Sequence, residues 1–472
     1  MSREKNLVIN TIVLAIGRYM PKLSVIVTLP ILTSCLTKAE YGTIDLISTL
    51  VMMVIPIATL QIQTAAFRFL IDYRGDVENS SRVISNIFIV TLPISLVASF
   101  IIQLFFPRFN LYVRALISMY FFFDTIYLTI GQIVRGLGYN KIYSTAAIIN
   151  SVLYTIGIVV GVYFGKKGIL GVMISLVGAH LVATAFLSLK IRLNRYIVRS
   201  YVSLEWIKKM LAYSWPMVPN NLSTWVLKLS DRLVITAFLG IEANAVYAVA
   251  NRIPNMLSLA QSVMVMAWQE NASIAAGDAD ADEYYSKMLD KIFSLMFGCT
   301  VLLIAATPIM FKILIRGDYA EAYYQMPVLI LAMFFFVMSS YFGGIYIAHK
   351  QTVNVGISTM VAAVINLAID LAFVNVIGIW AGSISTLTAY VVLYVYRMFN
   401  CQRFQKIRIN YAKQIFLILI MVVLLISCFM QKLYLNIINI VAAILLFVFF
   451  NRDVVKAGIG LIKRKLKRSN AK

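Results

Sequence analysis

Long apolar blocks separated by short polar stretches run along almost the whole chain. Each block holds about 20 residues or more, the length at which a helix crosses the hydrocarbon core of a bilayer. Within the blocks the apolar residues are nearly continuous. They do not alternate in segments of about ten, as the strands of a membrane barrel would. Lipid offers backbone groups no hydrogen-bond partner, so helices are the expected solution. Fourteen spans are predicted, at residues 7–36, 41–63, 83–106, 112–134, 142–164, 168–189, 212–238, 241–268, 285–309, 325–347, 353–376, 378–399, 414–430 and 433–450. The seventh is the least regular, because it holds Lys228, Asp231 and Arg232. The expected fold class is an all-α polytopic membrane protein.

Composition removes the soluble alternatives. Of 472 residues, 61% are hydrophobic and 13% charged, too few polar groups to cover a water-soluble surface of that size. The formal net charge of +22 raises the question of a nucleic-acid partner. None is expected, because the cations lie in short loops and the tail, and no soluble domain is present to carry a nucleic-acid fold. The main basic clusters are 190–209, 397–413 and 452–472. With the N-terminus inside, all three fall on the cytoplasmic side, as the positive-inside rule requires. There they set topology and contact anionic membrane lipid. Both termini are therefore expected in the cytoplasm. The first span is long for a leader and lacks a small-residue cleavage site, so no cleavable signal peptide is expected. Cys35, Cys299, Cys401 and Cys428 have neither metal nor disulfide spacing, and the only histidines are His180 and His349. No metal and no other cofactor are expected.

The chain repeats itself. Leu36-Thr-Lys-Ala-Glu-Tyr-Gly-Thr-Ile-Asp-Leu46 parallels Leu239-Gly-Ile-Glu-Ala-Asn-Ala-Val-Tyr-Ala-Val249, and Gly168-Ile-Leu-Gly-Val-Met-Ile-Ser175 parallels Gly378-Ile-Trp-Ala-Gly-Ser-Ile-Ser385. Six helices per repeat is an even number, so both repeats enter the membrane in the same direction. That predicts two six-helix bundles around a central cavity, related by an axis along the membrane normal. The expected organisation is one bundle over 1–200, a second over 201–410, an extra helix pair over 411–450 and a basic cytoplasmic tail over 451–472. Pro21, Pro30, Pro56, Pro216, Pro219 and Pro254 fall in the first two helices of each repeat. Each removes a backbone hydrogen bond; it is either an ordinary packed proline or a point where the helix bends during transport. Gly157, Gly161 and Gly165 form a stripe expected to serve close helix packing.

Charge inside the spans is costly, so each such residue is expected to face a cavity or a partner. Arg18 and Lys22 share one face of the first helix, Lys228 and Arg232 one face of the seventh, and Arg252 lies within the eighth. Asp45, Asp124, Asp231 and Asp370 supply the negative charge. One reading is internal salt bridging, with Asp231 against Arg232 or Arg252. The other is a cationic cavity for a phosphate group, since the cations as a set have no obvious acids nearby. Mapped through the repeat, Lys228 and Arg232 lie farther out than Arg18 and Lys22 by roughly seven residues, or about 10 Å, a staggered ladder for a diphosphate. The four aspartates are candidates for coupling to an H+ or Na+ gradient. Asp231 is the poorest proton carrier because Arg232 adjoins it, and Asp124 and Asp370 are better placed. Gly165-Lys166 lacks the spacing of a phosphate-binding P-loop and no ATPase domain is evident, so transport energy is expected from ion or substrate gradients or from a partner.

The chain resembles the bacterial polysaccharide repeat-unit flippases, including O-antigen flippases, of the multidrug/oligosaccharidyl-lipid/polysaccharide exporter superfamily. The resemblance is carried by Asn6-Leu-Val-Ile-Asn-Thr11, by Leu36 to Gly42, by Ser230-Asp-Arg-Leu-Val-Ile235 followed by Leu239-Gly240, and by the closing helix pair. Ala245 departs from the family, which is more Gly-like there. The resemblance implies transfer of an undecaprenyl-diphosphate-linked oligosaccharide to the outer face of the cytoplasmic membrane for O-antigen or capsule synthesis. Expected partners are that lipid-linked oligosaccharide, membrane lipid, and the polysaccharide polymerase and chain-length machinery. Asn150, Asn366, Gln61, Gln63 and Gln261 either line a sugar-accepting lumen or hydrogen-bond between helices. A drug/cation antiporter of the same superfamily needs an acidic, aromatic cavity, whereas this one is net positive. A membrane polymerase or ligase needs a large outer catalytic loop, whereas the outer loops are short.

Overall fold

The computed structural model describes residues 24–453, 455 and 456, and every regular element among them is helical. In chain order these are α1 (Ser24–Cys35), α2 (Lys38–Ala58), α3 (Ile62–Asp72), α4 (Val77–Ile102), α5 (Leu111–Gly136), α6 (Asn140–Ile158), α7 (Gly168–Lys190), α8 (Leu204–Ser214) and α9 (Met217–Leu239). There follow α10 (Ile241–Ala250), α11 (Leu257–Ala275), α12 (Ala281–Leu314), α13 (Ala320–Ala348), α14 (Thr352–Ile377), α15 (Trp380–Cys401), α16 (Tyr411–Phe429) and α17 (Leu433–Phe450). Ten helices among the described residues are long and apolar enough to cross a membrane. The other four predicted spans are those whose polar content is highest or whose helix is incomplete. The described part of the first is α1; the seventh is α9, with its three charges; the eighth is broken into α10 and α11; and the twelfth is α15. The protein is an all-α polytopic membrane protein. Its outward apolar side chains fit that medium: Val423, Leu445 and Phe449 are all more than half exposed, a pattern water would penalise and lipid does not.

Two predicted spans are corrected into broken helices at equivalent places in the two repeats. Span 41–63 ends as α2 at Ala58, turns through Leu60 and Gln61 with φ of 46° and 58°, and resumes as α3. Span 241–268 ends as α10 at Ala250 and resumes as α11 after a turn and a 3₁₀ segment at Pro254–Met256. The breaks fall where polar residues and proline interrupt the apolar run, Thr59, Gln61 and Gln63 in the first and Asn251, Arg252, Pro254 and Asn255 in the second, interruptions that a window of about 20 residues averages away. The loop at 190–209 is likewise corrected at its end. There α8 begins, and Trp206 packs edge-on against Phe69 of α3 and Tyr73 just after it, with Lys209 Nζ 4.9 Å above its ring.

The described chain divides after Ala248 into two compact units, with Leu314–Gly317 belonging to the first. In the first, Ile47, Val51 and Ile55 of α2 pack with Ile117 and Phe121 of α5 and with Met173 and Val177 of α7. The predicted glycine stripe is a packing surface: a Cβ at Gly157 would stand 2.6 Å from Ser175 Oγ, and one at Gly171 2.8 Å from Gly161 O. In the second unit, α13 is buried almost throughout. It has apolar residues on all sides, as a helix enclosed by others must.

The start of α2 sets the depth of the charges that follow it. Thr37 caps the helix and Glu40 closes a capping box. Glu40 also accepts the Ile169 N–H at 3.2 Å, tying α2 to the start of α7. At Gly42 the α10 backbone comes so close that a Cβ would collide with Ile241 O, and Asn244 Nδ2 donates to Gly42 O at 3.1 Å. One turn farther along α2 comes Asp45.

Candidate substrate and ion sites

Asp45 and Thr49 are four residues apart and so share a face of α2. That face meets α9. Arg232 Nη1 lies 3.2 Å from Asp45 Oδ1 and 3.3 Å from Thr49 Oγ1, and Trp225 Nε1, two turns before Arg232, donates to Thr49 O at 3.2 Å. The side chains of Arg232 and Asp45 are 12% and 4% exposed, so the pair is screened little by solvent. The expectation that this cation lacks a nearby acid is corrected: its acid lies on α2, 187 residues earlier. The Asp231–Arg232 bridge is corrected too. Neighbours on a helix point about 100° apart, and while Arg232 reaches Asp45, buried Asp231 accepts the Tyr247 hydroxyl. Arg232 Nε is buried with no hydrogen-bond partner among the described residues. Lys228, one turn earlier on α9, is exposed.

Arg252, expected inside a helix, stands half-buried in the turn that breaks α10 from α11. Arg18 and Lys22 lie outside the described residues. Of the candidate cations, Lys228 and Arg232 are therefore together on α9, and Arg252 belongs to the second unit.

The remaining aspartates have different surroundings. Asp124 of α5 faces His180 of α7, with Oδ1 3.5 Å from Nε2. Tyr120 and Tyr127, which flank Asp124 on its own helix face, set their rings edge-on to the imidazole at 5.5 and 5.6 Å. Asp370 of α14 is buried and accepts from Ser385 Oγ at 2.7 Å, while Ser385 accepts from Asn366 Nδ2 at 3.1 Å. Asn366 thus bonds between helices, as does Gln261, which donates to Ser340 Oγ at 2.7 Å. Gln61 forms the left-handed turn before α3. Asn150 Nδ2 and Gln63 Oε1 are buried without hydrogen-bond partners among the described residues.

Two residues escaped the sequence reading. His180 carries no local sign of its role, since its partner lies on another helix. Arg397, read as the start of a basic loop, is corrected to a buried residue near the end of α15, 6% exposed. Its guanidinium donates to Ser358 Oγ at 2.9 Å, Ser339 O at 3.1 Å and Thr359 Oγ1 at 3.0 Å. Gly343 leaves room for it; a Cβ there would stand 3.0 Å from Nη1.

The family model for "Polysaccharide biosynthesis protein" matches residues 7–269. No curated protein matches the chain. Among solved structures, the chain is similar to the lipid II flippase MurJ in an inward closed conformation, with a TM-score of 0.69 at 14% identity over 96% of this chain and 100% of that one. It is also similar to an inward-facing multidrug resistance MATE family transporter of the MOP superfamily, with a TM-score of 0.67 at 16% identity over 83% and 98% of the two chains. A third similar structure is a MOP superfamily transporter from Pyrococcus furiosus, with a TM-score of 0.55 at 16% identity over 83% and 94%. At such identities the likeness establishes a shared fold.

Proposed function

The chain belongs to the polysaccharide biosynthesis protein family, and from that premise we propose that it is a flippase. It moves undecaprenyl-diphosphate-linked oligosaccharide repeat units across the bacterial cytoplasmic membrane by alternating access, for O-antigen or capsule synthesis. It makes and breaks no covalent bond in its substrate. Its termini are in the cytoplasm, and it hands its product to a polymerase and chain-length machinery. The observation that carries the reading is the face of α9. There an exposed lysine, Lys228, precedes by one turn an arginine whose Nε is buried without an acceptor. Two cations at that spacing suit a diphosphate, the group common to every such substrate whatever its sugars. Arginine binds phosphate through parallel donors and lysine as a point charge. A cationic drug would be repelled by the same face. Arg18, Lys22 and Arg252 are further cationic candidates on sequence grounds. An H+ or Na+ gradient supplies the energy, with Asp45, Asp124, Asp231 and Asp370 as the candidate carriers. Among them Asp45 is held by Arg232 and so is poorly suited to releasing charge.

The test is translocation of a fluorescent undecaprenyl-diphosphate oligosaccharide in proteoliposomes. Replacing Lys228 and Arg232 together by Gln is expected to slow translocation about tenfold or more, the equivalent of one charge-assisted hydrogen bond. Arg232→Lys is expected to recover part of the rate. Asp45→Asn separates the readings: if Arg232 serves only the ion pair, it will match the Arg232→Gln loss. Wild-type translocation by the double variant at equal abundance would overturn the assignment.

A further inference from the structure

We propose that His180 and Asp124 form a single proton-binding site inside the first unit, and that loading and unloading this site is the coupling step of transport. The inference rests on the transporter reading and adds the ion, the atoms and the partner residue. His180 lies near the middle of α7, deep between the ends of a membrane-crossing helix. Its Nδ1 stands 2.8 Å from Leu176 O. A carbonyl oxygen only accepts, so Nδ1 keeps its hydrogen in every protonation state. The exchangeable position is therefore Nε2, which faces Asp124 Oδ1. With one proton between these two atoms the pair is neutral. With none, a carboxylate faces a nitrogen lone pair in a site only 13% and 15% exposed. That arrangement has no internal donor, so α5 and α7 must part or admit water. Where the helices part, proton occupancy is converted into helix position.

The surroundings leave the pair to itself. From α5 it is faced by Tyr120 and Tyr127. Tyr154 and Tyr143 of α6 lie near those two tyrosines in turn, and Ser48 of α2 donates to Ile44 O of its own helix at 2.9 Å. Tyr163, in the π-helical turn Val159–Phe164 beside α7, is exposed and packs on Phe164. Asp45 on α2 is engaged with Arg232. No lysine or arginine pairs with Asp124 or His180 among the described residues. Tyr120 packs in one cluster with Ile47 and Val51 of α2, the helix whose Asp45 and Thr49 hold Arg232, so the proton site and the cationic face have α2 as a common neighbour. In the step proposed, a proton from water on one side binds between Nε2 and Oδ1 and leaves to water on the other. No other bond changes.

Because the chain has two histidines, the site can be read in the unaltered protein. The experiment is ¹⁵N-histidine NMR of the reconstituted protein without substrate, with His349→Gln assigning the second signal. His180 is expected to hold its proton at Nδ1 across the titration and to change at Nε2 alone, and Asp124→Asn is expected to displace that change. In proteoliposomes, an inward pH gradient of one unit is expected to raise substrate accumulation by up to about tenfold per coupled proton. His180→Gln and Asp124→Asn are expected to abolish the stimulation while exchange down a substrate gradient persists. If His180 exchanges at Nδ1 or does not titrate, the proposal is overturned. It is equally overturned if both variants retain stimulation. The NMR result needs no substrate, so failure to flip lipid-linked oligosaccharide would count against the flippase reading alone.

Discussion

Arg397 carries its charge into the second unit with neutral oxygens alone around it. Its hydroxyl acceptors already have other partners: Ser358 donates to Val355 O at 3.0 Å and Thr359 to the same oxygen at 2.8 Å. Removing the guanidinium therefore strands few groups, whereas lysine keeps the buried charge and loses the planar array of donors. Arg397→Met is expected to cost about 1–2 kcal/mol, and Arg397→Lys more, about 2–4 kcal/mol. Thermal unfolding in detergent checks the order, which reverses if charge alone holds the socket. Outside the membrane, Asp76 caps α4 through the Asn79 N–H at 3.0 Å, and this bond holds its carboxyl below the usual value. The stabilisation it gives is present above the unfolded carboxylate pKa and fades as pH falls through the lower folded one. Amide protection at Asn79 is expected to drop only in acid, and Asp76→Asn should remove that pH dependence. Sequence made Asp124 a coupling candidate because no cation adjoins it in the chain. It did not reveal His180, because pairing across α5 and α7 depends on rotation about helix axes that a single chain of letters does not encode. The same limit placed Arg397 in a loop: its socket is built from Gly343, Ser339, Ser358 and Thr359 on two other helices.

Helices were legible wherever an apolar block was uninterrupted, because lipid makes hydropathy sufficient for α4 to α7 and α12 to α14. Their breaks were not. Leu60 and Gln61 adopt left-handed backbone in a stretch whose polar residues, Thr59, Gln61 and Gln63, are too few to end a predicted span, and Pro56 and Pro254 announced only that a bend was allowed. What the breaks accomplish appears at the element scale, where α2 is pinned at its start by Glu40 and Gly42. Gly42→Ala forces a Cβ into the Ile241 carbonyl, a backbone atom that cannot rotate away. A loss of about 1–3 kcal/mol is expected from such overpacking. Gly277→Ala, with nothing within 4 Å of the new carbon, provides the control. Differential thermal shifts of the two proteins in detergent measure the contrast, and equal shifts would remove Gly42 from its role as the crossing point.

At the scale of the whole molecule, the membrane assignment rests on bulk hydropathy and the family match, while orientation rests on the placement of basic residues. The chain contains its own probe. Among its cysteines Cys35 alone is exposed; Cys299 is half-buried, and Cys401 and Cys428 are buried. With cytoplasmic termini, the end of α1 lies at the outer face. A membrane-impermeant maleimide is expected to label intact spheroplasts at Cys35, and Cys35→Ser is expected to abolish the labelling. Modification only after permeabilisation would invert the topology and place the clusters at 190–209 and 397–413 outside.

The crossing at Gly42 also bears on how such a chain arises. Through the repeat, Gly42 corresponds to Ala245 and Tyr41 to Asn244, and a Cβ on Gly42 would stand 3.2 Å from Ala245 N. Equivalent segments of the two halves therefore meet each other, as the matching patches of a two-fold dimer do. In two identical subunits, any substitution at that axis would be made twice and would face itself. Once the halves are joined in one polypeptide, each position can vary alone. One copy can keep the residue without a side chain while the other acquires an amide that reaches across to its carbonyl. At this crossing Gly42 and Ala245 are no longer interchangeable: the first must stay without a side chain, and the second need not.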